Sequence, residues 1–204
     1  MSNPSYWKVF CQWCRRNEPL NLPENVSLSE LNQFAARYRL AQAFNGIDAD
    51  GYAKDTTDAY GAVLKVFLAY SALEQFHKAV KPTNPKQHLS DRWADWAVSP
   101  AIGLRESDAI IQFLIKTVSH NKLRDKLIAF QQGKHDNVLI VATALRHAVA
   151  HGFMSVHPEG TSAKVSKIFC QQLSRMLLLI SNRAFVDLLT SLSIDFDPQG
   201  HGSK

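Results

Sequence analysis

The 204-residue chain is 46% hydrophobic and 20% charged, with a formal net charge of +5. That length fills one core well and two barely, so a single domain over 1–204 is expected, and the mild basic excess admits an anionic partner without demanding one. Three cysteines, an odd number, argue against a disulfide framework and for a reducing compartment.

Nearly every periodic segment has helical spacing. Trp7, Phe10, Cys11 and Cys14 recur at helical intervals, and the pattern stops before Pro19. Ser27 followed by Glu30 reads as a capping box, opening a helix through Leu28, Leu31, Phe34, Tyr38 and Ala41 that ends near Gly46. A polar, turn-rich loop follows over 45–57. Asp58 is expected to cap a long helix that Pro82 terminates. Pro82 and Pro85 stiffen the next connection, and a short segment holds Trp93 and Trp96. Helices are expected over 110–118 and 123–132, the second closed by Gly133. Asp136 or Asn137 opens the next, which Gly152 closes, and a last long helix runs from about 161 to 192.

The tail, 195–204, looks frayed. The sole strand candidate, 153–156, is weak, and neither repeat nor low-complexity tract occurs. The expected fold is all-α, a helical bundle with a core over 58–192 and an N-terminal helical pair appended over 1–50. No uninterrupted apolar segment precedes Arg15 and Arg16, and the densest apolar run, 176–180, is too short to cross a bilayer. A soluble cytoplasmic protein without membrane association is therefore expected.

The stretch ALRHAVAHGF, 144–153, carries the functional signal. On a helix over 138–151, Val138, Val141, Ala142, Leu145, Ala148 and Val149 form one apolar stripe. The opposite side holds Leu139, Ile140, Thr143, Ala144 and Ala150, so this helix should be buried on more than one side. Arg146, His147 and His151 lie off the main stripe. A buried arginine needs anionic company, from an acidic side chain or a ligand. Gly152 places His151 in the C-terminal turn, where the helix dipole favours positive charge. Arg146 and His151 diverge by about 140° on a regular helix. They converge on one ligand if the helix ends there, or if a second copy supplies the other half.

These residue types suit RNA cleavage. Attack of a 2′-hydroxyl on the adjacent phosphate needs a base, an acid for the leaving 5′-oxygen, and a cation for the phosphorane. Histidine titrates in the range for either proton transfer, and arginine offers a fork matched to phosphate oxygens. No metal or other cofactor is required in that scheme.

Arg146-His147-Ala148-Val149-Ala150-His151 resembles the arginine, polar residue, three residues, histidine signature of the HEPN (higher eukaryotes and prokaryotes nucleotide-binding) superfamily. The glycine-closed AVAHG end and the upstream YSALEQF stretch, 70–76, are similar to the same family. The resemblance covers 58–192. It implies an all-helical, metal-independent endoribonuclease of toxin–antitoxin or abortive-infection type, with its active site at a homodimer cleft. Arg146 would grip the scissile phosphate and His151 would be the acid–base residue. His147 would fill the adjoining polar position, with Glu74 and Tyr70 in support. The implied partners are RNA, a second copy and, by family association alone, a nucleotidyltransferase-type antitoxin.

Blander readings stand beside these. Arg146 and His151 could be a paired arginine and a helix-terminal histidine, in a non-catalytic nucleotide- or RNA-binding or dimerisation module. His147 and His151 match two ligands of a helical zinc site in a metal-dependent enzyme, with His157 or His135 as a third, although HAVAH lacks the zincin glutamate. Cys11 and Cys14 form a lone CxxC read as core, Cys170 is single, and Asp48 and Asp50 begin a calcium-like loop whose twelfth position is Ala59. Lys164, Lys167, Arg175 and Arg183 are a solvated face, or the first three extend a phosphate-binding surface beside the motif. Trp93 and Trp96 are read as core anchors.

Overall fold

Helix α3 (Lys54–Ala79) is the element around which the rest is arranged. It packs most extensively along α8 (Ala163–Ser191) and α2 (Leu28–Ala43), with α1 (Trp7–Arg16) closing the same side. The remaining helices are α4 (Leu89–Arg92), α5 (Asp108–Thr117), α6 (Asn121–Gln131) and α7 (Val138–Ala150). A 3-10 turn, Pro158–Gly160, precedes α8. The computed structural model describes residues 2–17, 20, 22–82, 84, 87–94, 108–153 and 155–194. Among these the fold is all-helical, and the one β-type pairing is an isolated antiparallel bridge between Val26 and Val80. Pro19, Pro85, Trp96 and the tail 195–204 lie outside the described residues.

The core is built on aromatic rings. Phe34 of α2 meets Phe76 of α3 at 5.0 Å and Phe185 of α8 at 5.8 Å, centroid to centroid. Phe185 also takes Phe10 edge-on at 5.7 Å and Trp7 at 5.4 Å. The N-terminal pair thus buries its apolar faces in the same core as α3 and α8. Rings this buried make truncation costly, about 3–5 kcal/mol for Phe→Ala.

Helix ends follow their capping residues in most places. Ser27 Oγ accepts from the Glu30 amide at 3.4 Å. The reciprocal half of the box is absent: the Ser27 amide donates to the Ala79 carbonyl at 2.9 Å, and the Glu30 carboxylate takes Gln75 and Lys78 instead. This exchange ties the start of α2 to the end of α3, beside the Val26–Val80 bridge. Asn137 caps α7 through the Leu139 amide at 3.0 Å, while its side-chain amide donates to the Ser90 carbonyl at 2.7 Å. Gly133 takes a left-handed φ of 71° after α6, and Ser162 caps α8.

Two expectations are corrected. Asp58 does not cap α3, which starts one turn earlier with Ala53 at the N-cap and no side-chain cap bond. Asp58 instead sits four residues after Lys54, pairs with it at 3.3 Å and takes Lys167 at 2.8 Å. Of the strand candidate 153–156, residues 153, 155 and 156 are in no strand, and Phe153 follows directly from the end of α7; residue 154 lies outside the described residues. Trp93 is a core anchor, buried against Phe76 at 6.0 Å. The three cysteines are free. Burial raises Cys14, with Cys11 adding to the shift, and pushes the Cys170 thiol up to about 12, so Cys170 behaves as a small apolar core residue.

Candidate functional site

The all-round apolar character of α7 is explained within one chain. α3, α4, α5, α6 and α8 all pack against it, and Val138 to Ala142, Ala144, Leu145 and Ala148 are buried. Only its last turns reach the surface, presenting Arg146, His147, Val149, Ala150 and the C-cap His151. The second apolar face of this helix therefore needs no second copy to cover it. Arg146 is correspondingly not the buried arginine its surroundings implied: its side chain is 41% exposed.

Arg146 nonetheless has the anionic company expected of it. Its Nη2 lies 3.4 Å from Oε1 of Glu74, which α3 delivers from the facing helix. At this exposure the pair contributes less than about 1 kcal/mol, so it orients the guanidinium more than it anchors the fold. Tyr70, one turn before Glu74, forms the platform: the Arg146 Cζ sits 5.7 Å from its ring centroid. The Tyr70 hydroxyl shares a 3.2 Å hydrogen bond with Thr143 Oγ1, which itself donates to the Leu139 carbonyl at 2.7 Å. Burial of the phenol raises the Tyr70 pKa, partly offset by Thr143, so it remains a neutral support.

The histidines lie side by side. His147 and His151 have ring centroids 4.3 Å apart, inclined by 54°. The helix ends beneath them in a Schellman arrangement: the Phe153 amide donates to the Ala148 carbonyl at 2.9 Å and the Gly152 amide to Val149 at 3.1 Å. Gly152 supplies the left-handed residue, φ 71°, that this closure requires. The turn brings the Phe153 ring near-parallel to His151 at 6.1 Å, and Phe153 stays 56% exposed. His147 Nε2 also lies 3.5 Å from Ser119 Oγ, just before α6. The His147 pKa is lowered, first by desolvation and then by His151, Arg146 and His120. An imidazole held neutral beside other positive groups can accept a proton near neutral pH.

Arg146, Glu74, Tyr70 and Thr143 thus form one contact group, and His147, His151, Ser119 and Phe153 form a second; the charges of Arg146 and His120 reach His147. Thr143 was legible as a polar residue one turn before Arg146 on an apolar helix. Nothing local in sequence marks Ser119 or His120, which arrive from a different connection.

The basic residues of the last helix are not brought beside the motif. Lys167 pairs with Asp58 and, with Arg175, lines a groove of its own; Lys164 is exposed one turn before Lys167. Asp58 and Glu74 stand sixteen residues apart on α3, about 24 Å along its axis. The other histidines are also engaged elsewhere: His135 Nε2 lies 3.0 Å from the Lys126 carbonyl, and His157 Nδ1 3.3 Å from that of Thr161. Among the described residues no group of three or more histidine, cysteine or acidic side chains is placed to hold a metal ion. None of the described helices is long and apolar enough to cross a membrane. No family model, curated protein or solved structure matches the chain.

Proposed function

We propose that the chain is a metal-independent endoribonuclease of the HEPN type, working as a homodimer and serving as a toxin or defence effector. One observation carries this reading. A half-exposed arginine, seated on Tyr70 and aligned by Glu74, stands on the same helix end as two imidazoles 4.3 Å apart.

The chemistry follows from these groups. The Arg146 fork takes two phosphate oxygens and stabilises the charge that builds on the phosphorane. His147, kept neutral by its surroundings, accepts the 2′-hydroxyl proton. The O2′–P bond forms as the P–O5′ bond breaks, and His151 passes a proton to the departing 5′-oxygen. The products are a 2′,3′-cyclic phosphate and a 5′-hydroxyl. With the two rings 4.3 Å apart, one can take up a proton while the other gives one up at the same phosphate. The exposed Phe153 ring next to His151 gives a base a surface on which to stack.

Support for the dimer comes from the surface beside the site. Leu64, Val63, Tyr60, Val149, Gly152 and Ile47 line a small apolar hollow. Leu64, Phe67, Ile47 and Phe153 leave at least a third of their surface in water. An apolar patch next to a cationic cluster is what a second copy would cover while completing an RNA cleft.

The test is cleavage of single-stranded RNA by purified protein in EDTA, with end-group analysis of the products. Arg146→Ala and His151→Ala should each reduce the rate at least about 100-fold while preserving the helical spectrum and melting cooperativity. Cleavage by both variants at the wild-type rate rejects the mechanism. RNA binding that weakens in Arg146→Ala, with no product under any condition, favours a non-catalytic module.

A further inference from the structure

On the face of α3 opposite Glu74, the chain forms a groove of about 680 Å³ between α2, α3 and α8. Lys65 and Glu74 are nine residues apart, half a turn out of phase on the helix. The groove therefore does not open onto the Arg146 surface. Its volume lies within the roughly 300–1,000 Å³ typical of small-molecule sites.

A close backbone approach builds one wall. Gly61 lets the loop after α2 press onto α3: a Cβ there would come 3.0 Å from the Cα of Gly46. Gly46 itself takes φ 133°. With the loop held down, the Phe44 carbonyl accepts a 2.9 Å hydrogen bond from Lys65 Nζ. This fixes a partly buried ammonium in the groove wall without giving it a carboxylate.

Charge in the groove is unbalanced. Lys54, Lys65, Lys167 and Arg175 line it, and Asp58 is the one carboxylate among its described lining residues. Asp58 serves Lys54 at 3.3 Å and Lys167 at 2.8 Å, leaving Lys65 and Arg175 with no carboxylate within ion-pair distance among the described residues. Gln42 and Gln171 add neutral hydrogen-bonding groups along the same walls. Such an excess of fixed cations in a concavity raises the local concentration of anions.

We infer that this groove binds a small oligophosphate of nucleotide size, its phosphates held between Lys65 and Arg175. The inference is independent of the ribonuclease reading, since no residue of the Arg146 cluster takes part. The occupant is a small molecule because the space is a single hollow whose cations come from two facing helices, α3 and α8, instead of running along one strip.

Titration calorimetry at low salt tests the proposal with ATP, sodium tripolyphosphate, adenosine and a single-stranded 2′-deoxy oligonucleotide. ATP and tripolyphosphate should bind one per chain, and adenosine should not. Arg175→Gln should weaken both phosphate ligands by roughly tenfold or more, the loss of one charged hydrogen-bonding partner. Arg175→Glu should abolish binding, and Arg146→Ala should leave it unchanged. Lys65→Met should act like Arg175→Gln, but the exposed Arg175 is the decisive position because its replacement breaks no internal bond. Failure of ATP and tripolyphosphate to bind at millimolar concentration overturns the proposal. So does equal binding by Arg175→Gln, or loss of binding in Arg146→Ala. An oligonucleotide that binds through Arg175 while ATP does not would assign the groove to nucleic acid and reject the small ligand.

Discussion

The Arg146 guanidinium lies over the Tyr70 ring, 5.7 Å from Cζ to centroid, and so a buried aromatic on α3 carries a half-exposed cation of α7. The ring's hydroxyl is occupied by Thr143 from the same helix as Arg146. Platform and cation are therefore locked in register. Separating the two roles of Tyr70 is straightforward. Tyr70→Phe keeps the ring and loses one hydrogen bond, costing about 1 kcal/mol of stability by urea titration, with cleavage changed less than about threefold. Tyr70→Leu removes the platform, and kcat/KM for RNA should fall roughly three- to tenfold beyond Tyr70→Phe.

Glu74, one turn after Tyr70 on α3, pairs with the same guanidinium, and its half-exposed pairing predicts a division between binding and turnover. Glu74→Gln should change unfolding free energy by less than about 1 kcal/mol. Removing a negative charge beside the phosphate-gripping group should tighten binding of a non-cleavable 2′-deoxy oligonucleotide several-fold. Single-turnover cleavage should slow, because Arg146 loses the partner that aims it. Weaker oligonucleotide binding by Glu74→Gln would contradict this assignment.

The pH dependence has two separate windows. His147 and His77 both have lowered pKa values, led by desolvation in each, with nearby positive groups contributing; Arg92 is the main one for His77. On acidification the unfolded chain takes up these protons first, near its ordinary value of 6.5. Stability should therefore begin to fall as pH drops below about 6.5, and His77→Gln should flatten that limb. Asp58 and Glu30 are lowered by their lysines, Lys167 first for Asp58 and Lys78 for Glu30. Their contribution is present above the ordinary values of 3.8 and 4.5 and is lost as pH falls through the folded ones. Urea midpoints measured across this range resolve the two limbs. The acid limb of kcat/KM should likewise fall below 6.5.

Gly152 controls the direction in which His151 and Phe153 leave the helix. A Cβ added there meets no heavy atom within 4 Å, so the cost of Gly152→Ala is conformational and comes from φ 71°. The expected loss is about 1–2 kcal/mol. Gly152→Asn should lose less, since asparagine tolerates the left-handed region. If Gly152→Ala also lowers cleavage more than Gly152→Asn does, the Schellman closure positions the histidine pair.

Much was legible in the sequence because it depends on neighbours along the chain. Helical periodicity, Ser27 and Asn137 as caps and Gly133 and Gly152 as stops set the helices to within a few residues of their observed ends. The pairing of His147 with His151 follows from their four-residue spacing on one helix face. Even the approach of Glu74 to the motif was anticipated, from resemblance and not from physics. The errors have one source. Asp58 looked like a cap because Asp often is one, but a lysine from α8, more than a hundred residues later, gave its carboxylate other work. The apolar circumference of α7 rightly announced burial on more than one side but left open what covers it; five other helices of its own chain do. Tertiary packing alone decided that Arg146 would be half in water and that Lys167 and Arg175 would face a separate groove. Periodicity says which side of a helix is apolar; only the assembled bundle says what lies against it.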